Sequence, residues 1–291
     1  MSAEDARVEW QGSEPPMLSP SRTQAPLERR LLTVTANESL GAYRVLRAAD
    51  PAGPRPSAGQ FAMLAAAERW GAGAEERPYL PRAFSYARWH EGEAHFLLED
   101  VGPGTHRLCE LRAGDGLWLL GPLGQGFSAP WEERRALLVG GGVGIAPLAI
   151  WQDELQRVGL AAKHGVLLGF RDAAHAEGGA LLADTRLASD DGSIGHRGLV
   201  TDLLLAELDR DAHAVVYACG PPAMLEAVRS LCALREVPAQ LALEAGMACG
   251  FGACFGCVVP ARAGYLRVCV DGPVVDADLL AVVGEHVGAH A

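Results

Sequence analysis

The chain has 291 residues, 49% of them hydrophobic, enough to bury a sizeable core across about two domains and a smaller module. Its 36 acidic against 25 basic side chains, with no Lys/Arg-rich run, argue against nucleic-acid binding. No stretch approaches the roughly eighteen unbroken apolar residues of a membrane span, and no basic start followed by an apolar segment opens the chain, so a soluble, cytoplasmic protein is expected.

Residues 1–27 are rich in Pro, Ser and charge without a sustained period and read as a disordered tail. From Arg29, short β-prone runs alternate with turn residues: Leu31 to Thr35, Tyr43 to Ala48, Gly59 to Leu64, Arg82 to Trp89, Ala94 to Leu98 and Gly116 to Leu120. That rhythm predicts an antiparallel barrel or sandwich over 28–130, with Gly71 to Pro81 as a surface insert. Arg82-Ala-Phe84-Ser85 is expected on a strand, with Arg82 and Phe84 on one face and Ser85 on the other. Gly102-Pro-Gly104-Thr105 reads as a tight turn before a short apolar run. An arginine together with free N–H groups at a glycine turn suits a pyrophosphate, although each segment alone also fits ordinary strand or turn.

The segment 131–237 shows alternating strands and helices, which predicts a parallel sheet with sites at the carboxyl ends of its strands. Arg135 to Gly140 is a buried-strand run that leads into Gly140-Gly141-Gly142-Val-Gly144-Ile-Ala-Pro147 and a helix over Leu148 to Val158. Strand, glycine turn and helix are the context expected of a nucleotide site, in which Gly144 and the helix start can admit a pyrophosphate. A strand at Gly165 to Phe170 and a helix at Ala174 to Ala183 follow. Then Ala214 to Cys219 runs into Gly220-Pro221 and a helix over Ala223 to Leu234. Cys219 at a strand end could pack beside a nicotinamide ring or simply close a turn. Asp172 stands near where a ribose 2′-hydroxyl partner would lie, and no basic cluster other than Arg171 follows that strand, which favours NADH over NADPH.

Residues 238–291 carry Cys249, Cys254, Cys257 and Cys269, with gaps of four, two and eleven residues. This C-x4-C-x2-C…C order is the plant-type 2Fe–2S spacing, and the interleaved Gly250, Gly252 and Gly256 let the backbone pass close to an inorganic core. The alternatives are structural zinc, whose knuckles more often open with a two-residue gap, and a disulfide pair. Cys109 and Cys232 read as small buried hydrophobes.

Taken in order, Arg82-x-Phe84-Ser85, Gly102-x-Gly104-Thr105, Leu120-Gly-Pro-Leu-Gly-Gln-Gly-Phe127, Gly140 to Pro147, Cys219-Gly-Pro221 and the cysteine segment resemble a ferredoxin-reductase-type flavoprotein. Met247-Ala-Cys-Gly-x-Gly-x-Cys-x-x-Cys257 with Arg267-Val-Cys269-x-Asp-Gly-Pro273 is more specifically similar to the electron transfer subunits of two-subunit, NAD-linked dihydroorotate dehydrogenases. Asp190-Asp-Gly-Ser193 and Gly198-Leu-Val-Thr-Asp202 add to that likeness, which covers about residues 28–280. The resemblance implies a multidomain β + α/β protein: an antiparallel FAD-binding β-barrel, an NAD-binding parallel α/β sheet and a small C-terminal 2Fe–2S module. It places Arg82 on the FAD pyrophosphate, Ser85 near the isoalloxazine, Phe84 against the ring, and Gly102, Gly104 and Thr105 at the phosphates. Gly141, Gly142, Gly144, Cys219, Gly220 and Pro221 fall to NAD(H), and the four cysteines to the cluster. Phe84 stands where many relatives carry tyrosine, and Pro103 removes one N–H donor from the glycine turn.

The same resemblance implies a flavin-bearing dihydroorotate dehydrogenase catalytic subunit as partner, within a heterotetramer of two chains of each kind. That subunit would oxidise dihydroorotate to orotate, and the chain would pass the electrons to NAD⁺ for pyrimidine biosynthesis. A flavin fits the junction because it exchanges pairs with NADH and single electrons with iron–sulfur. Phe251 and Phe255 read either as interface anchors or as shields of the cluster. Rival readings are a reductase for another partner, such as a hydrogenase or a ferredoxin-NADP transhydrogenase, and a zinc-clamped, non-enzymatic binding subunit. The eleven-residue gap before Cys269 disfavours an oxygenase reductase, which needs a full ferredoxin fold.

Overall fold

The structure, a computed structural model, describes residues 28–71, 78–130, 134–159 and 164–281. The tail expected over 1–27 and residues 72–77 of the insert lie outside the described residues.

The first unit is a closed antiparallel barrel rather than a sandwich. Its strands are β1 (Arg29–Leu40), β2 (Tyr43–Ala49), β3 (Phe61–Ala66), β4 (Arg82–His90), β5 (Glu93–Glu99) and β6 (Gly116–Leu123), in the order β1-β2-β5-β4-β3-β6. Leu46, Leu64, Phe96, Leu98, Leu117 and Leu119 fill its interior. Closure is reinforced by a forked pair: Arg30 donates from Nε to Asp50 Oδ1 at 3.0 Å and from Nη2 to Oδ2 at 2.6 Å. A third Arg30 hydrogen bond reaches the Gly121 carbonyl at 2.9 Å, so the buried Asp50 carboxylate is both neutralised and tied to β6. Between β5 and β6 the expected turn is a short helix, α1 (Pro103–Cys109), with proline in its first turn where the missing N–H costs little.

The second unit is a seven-stranded sheet. Its elements are β7 (Arg135–Gly141), a 3₁₀ turn at Gly142–Ile145, α2 (Ala146–Arg157), β8 (His164–Phe170), α3 (Ala173–Ala176), β9 (Thr185–Ser189), β10 (His196–Arg197), α4 (Val200–Arg210), β11 (Ala214–Cys219), α5 (Pro222–Leu234) and β12 (Ala239–Ala242). The strand order is β10-β9-β8-β7-β11-β12, all parallel, with β15 (Val274–Asp276) antiparallel on the β12 edge. The apolar runs of β7, β8 and β11 are buried on both faces, as helix-covered parallel strands require. The helix expected over Ala174 to Ala183 is only one turn, followed by a 3₁₀ segment at Glu177–Leu181. Gly178 and Gly179 weaken it, and Gly178 is needed there because a Cβ would stand 2.8 Å from the Tyr43 ring.

The sheet continues past residue 237, since β12 and β15 belong to it. The cysteine loop and a hairpin of β13 (Val258–Ala261) and β14 (Gly264–Arg267) lie between those two strands. The barrel docks on the sheet through its first hairpin, where the Ala42 N–H donates to the Ala174 carbonyl at 3.0 Å. Gly41, with φ +58°, allows that approach, because a Cβ would stand 2.0 Å from the same oxygen. Rings of Phe127, Trp151 and Tyr217 pack together beneath the connection, at centroid distances of 5.2 to 5.7 Å.

Candidate functional site

The cysteine loop is shaped by two left-handed glycines, Gly250 at φ +80° and Gly252 at +89°. Neither position has room for a side chain: a Cβ would stand 2.5 Å from Met63 Cγ at Gly250 and 2.7 Å from Val270 Cγ2 at Gly252. The loop sorts its thiols into two pairs, with Cys249 hydrogen-bonded to Cys254 and Cys257 to Cys269. Burial works against ionising Cys249, but the N–H groups of Phe251, Cys254 and Ala253 outweigh it and bring the thiol below its ordinary range. Burial first, and then the Cys257 thiol, push Cys269 the other way. Cys257 and Cys269 are 3% and 2% exposed and share a small core with Phe61, Met63 and Val268, whereas Cys254 faces solvent.

Two thiol pairs supply a pair of sulfurs to each of two metals, the donor set of a dinuclear cluster. The residues present fit a 2Fe–2S cluster.

Phe61 carries the contact onward, since it also lines a cavity of about 210 Å³ between the barrel, the sheet and the cysteine segment. Phe84 and Ser85 of β4 line that cavity together, although strict alternation put them on opposite faces. Gly144, Cys219, Met247 and Pro273 complete the walls from the other units. Gly144 is glycine for packing: a Cβ there would stand 2.6 Å from Gly220 Cα, so the β7 turn and the β11 turn interlock. Cys219 is buried and its thiol is pushed well above the ordinary range by burial and then by the Glu244 carboxylate.

A larger cavity of about 530 Å³ opens over the carboxyl ends of β7, β8, β9 and β11 and is lined by Gly141, Gly142 and Pro221. It shares Val143 and Glu244 with the smaller one, so the two are contiguous. Burial holds the Glu244 carboxyl above its ordinary range. Asp172 does not line this cavity. It caps α3 by accepting from the His175 N–H at 3.0 Å and from His175 Nδ1 at 2.7 Å, which holds its carboxyl below the ordinary range. Asp190, just past the end of β9, does line the cavity. Tyr43, His175, Glu99 and Glu244 also line it, and none was singled out by the sequence reading, because nothing in local pattern marks a lining residue.

At the barrel's other polar site, Arg82 lies over Gly104 at the start of α1 and donates to the Leu80 carbonyl at 2.6 Å. Thr105 shapes that turn: its hydroxyl accepts from the Val101 and Gly102 N–H groups at 2.9 and 3.0 Å and donates to the Gly102 carbonyl at 2.9 Å.

Residues 244–281 match the family model described as the iron-sulfur cluster binding domain of dihydroorotate dehydrogenase B. Over 230 residues, the chain is 36% identical to the dihydroorotate dehydrogenase B (NAD(+)) electron transfer subunit of Caldanaerobacter subterraneus subsp. tengcongensis, covering 76% of this chain and 86% of that one. The chain belongs to this family of electron transfer subunits. The Bacillus pumilus subunit of the same family is 33% identical over 268 residues, 88% of this chain and 99% of that subunit. Among solved structures, an NADH-dependent reduced ferredoxin-NADP oxidoreductase superposes with a TM-score of 0.72 at 24% identity, covering 87% of this chain and 91% of that one. That likeness concerns the fold alone, so the transhydrogenase reading gains nothing beyond it, whereas the family's own subunits match across barrel, sheet and cysteine loop.

Proposed function

We propose that this chain accepts electrons from a separate, dihydroorotate-oxidising catalytic subunit and delivers them to NAD⁺ in pyrimidine biosynthesis. When bound, FAD exchanges electron pairs with a pyridine dinucleotide and single electrons with a 2Fe–2S cluster. The observation that carries the reading is the meeting of all three units at one place. Phe84 and Ser85 from the barrel, Gly144 and Cys219 from the sheet, and Met247 from the cysteine segment line one cavity, which is contiguous with a larger one over the sheet.

Cys249, Cys254, Cys257 and Cys269 hold the cluster, with loop N–H groups favouring the thiolate form on the Cys249 side and an apolar wall excluding water on the Cys257 and Cys269 side. Arg82, Gly102, Gly104 and Thr105 hold the FAD phosphates: Arg82 supplies charge, and Thr105 fixes the shape of the turn. Phe84 and Ser85 orient the flavin ring. Gly141, Gly142 and Pro221 take the dinucleotide, while Gly144, Gly220 and the neutral Cys219 thiol bring its reactive end towards the flavin side. The exposed edge of the cysteine loop, with Cys254, Phe251 at 42% and Phe255 at 60% exposure, is the docking face for the catalytic subunit. We assign the assembly as a heterotetramer of two chains of each kind, in the cytoplasm; no helix among the described residues is long and apolar enough to cross a membrane.

Cofactor content tests this directly. The anaerobically purified chain should contain FAD with about two irons and two sulfides per chain, and NADH should bleach its flavin absorbance without any partner. Zinc in place of iron, with no flavin, would overturn the reading.

A further inference from the structure

Phe255, between Cys254 and Cys257, stands in the left-handed region at φ +56° although it carries an aromatic side chain. That conformation crowds a Cβ against the neighbouring carbonyl, and strain of this kind in a folded chain points to function. Here it aims the next N–H, since Gly256 donates to Cys254 Sγ at 3.4 Å. The Phe255 ring lies under the Arg267 guanidinium, whose carbon stands 5.6 Å from the ring centroid.

The same guanidinium reaches the other side of the loop. A Cβ added to Gly252 would stand 3.5 Å from Arg267 Nη1, and the Gly252 N–H donates to the Cys269 sulfur. Arg267 ends β14 and is fixed by the turn that carries Cys269. Its own N–H and its Nε donate to Asp271 Oδ2 at 2.8 and 3.3 Å, and its carbonyl accepts from the Val270 and Asp271 N–H groups at 2.9 and 2.8 Å. A cation and an anion are thus built into the loop that holds the four thiols, the cation against Gly252 and Phe255 and the anion tethered to the turn around Cys269.

We propose that the Arg267–Asp271 pair sets the reduction potential of the cluster held by the four cysteines, the guanidinium raising it and the carboxylate limiting the rise. This rests on the cysteine loop being a 2Fe–2S site. Reduction adds one negative charge, which a nearby cation stabilises and a nearby anion opposes. The two side chains are 36% and 33% exposed, so solvent screens both and each effect is modest. For the electron path the pair is a balance. A higher potential eases the arrival of an electron from the partner subunit but hinders its passage to the flavin, and the paired carboxylate holds the rise in check. Both are positioning residues, acting on the cluster through charge and through the loop rather than as ligands.

The test is a mediated redox titration of the anaerobically purified holoprotein, following the reduced-cluster signal by electron paramagnetic resonance, for the wild type, Arg267→Gln, Arg267→Lys and Asp271→Asn. Arg267→Gln removes the cation and should lower the potential, whereas Asp271→Asn leaves the cation uncompensated and should raise it. Each shift should equal about a three- to tenfold change in the reduction equilibrium, or ~30–60 mV for a one-electron couple. Arg267→Lys keeps the charge and should stay within about twofold of the wild type. Both Arg267→Gln and Asp271→Asn break the same ion pair, so a purely structural role would move the potential one way or not at all. Shifts of the same sign, or none, would overturn the proposal, as would Arg267→Lys behaving like Arg267→Gln. If Arg267→Gln fails to hold its cluster, Asp271→Asn decides: a raised potential supports the proposal and an unchanged or lowered one overturns it. A wild type without iron, sulfide and the signal would overturn the cluster reading itself.

Discussion

Gly104 lies directly beneath Arg82, so closely that a Cβ added to the glycine would stand 2.4 Å from Arg82 Nε and 2.8 Å from Cζ. The guanidinium thus occupies the space of a missing side chain and sits at the start of α1, with Trp70 on its other flank at 6.0 Å. A strand residue and a helix residue twenty-two positions apart in the chain are brought together, as the proposed FAD phosphate site requires.

Gly104→Ala should push Arg82 aside, because a flexible side chain yields before the backbone does. FAD affinity should fall about tenfold, the scale of one charge-assisted hydrogen bond, with little change in melting temperature. Fluorescence titration of the flavin-stripped protein checks this, and unchanged affinity would remove Arg82 from the FAD site.

Asp190 lines the larger cavity, and the one arginine there, Arg171, is paired to Glu99 at 2.7 Å. A carboxylate at this strand end disfavours a 2′-phosphate by charge repulsion. Asp190→Ser should shift the ratio of kcat/KM values about tenfold towards NADPH, read from steady-state assays with both nucleotides. An unchanged ratio would place the adenosine ribose elsewhere.

Glu207 of α4 is buried and gathers three arginines. Arg135 donates to it at 2.7 Å, Arg210 at 2.6 Å, and Arg186 makes a third hydrogen bond. Burial raises the carboxyl pKa, and Arg135, Arg210 and Arg186 more than reverse this, leaving it below the ordinary range. A depressed folded-state pKa contributes stability that is present above the ordinary carboxylate range and lost as pH falls through the lowered value. Glu207→Gln should therefore cost about 3–5 kcal/mol at pH 7 and progressively less below pH ~4. Urea unfolding of both proteins side by side at the two pH values measures this. A gap that persists at low pH would mean that packing, not charge, is lost.

Much of the architecture was legible in the chain because its signals are local. The spacing from Cys249 to Cys257, the β7 run into Gly140 to Pro147, and the short runs of the barrel each carry their own periodicity or turn chemistry. The remaining features depend on contacts that no single local pattern announces. Asp172 looked like a ribose partner by position, but His175 three residues later draws it into a helix cap, and Asp190 takes the cavity position instead. Gly144 reads as a phosphate glycine, and the fold adds a packing reason that no local pattern carries, since Gly220 lies against it. α4 lies outside the elements expected from sequence, although Leu203, Leu204 and Leu208 have helical spacing. Tyr43 and Glu244 carry no pattern at all, and only the closed fold brings them to the cavities.

The central claim is that the chain joins a dihydroorotate-oxidising subunit to NAD⁺. The direct measurement is dihydroorotate-dependent NAD⁺ reduction by the purified holoprotein, alone and mixed with the flavin-bearing catalytic subunit, for the wild type and Cys254→Ser. The account predicts no activity from the chain alone, activity in the mixture, and its loss in Cys254→Ser. A mixture that forms a stable complex of fully loaded subunits yet never reduces NAD⁺ would contradict it.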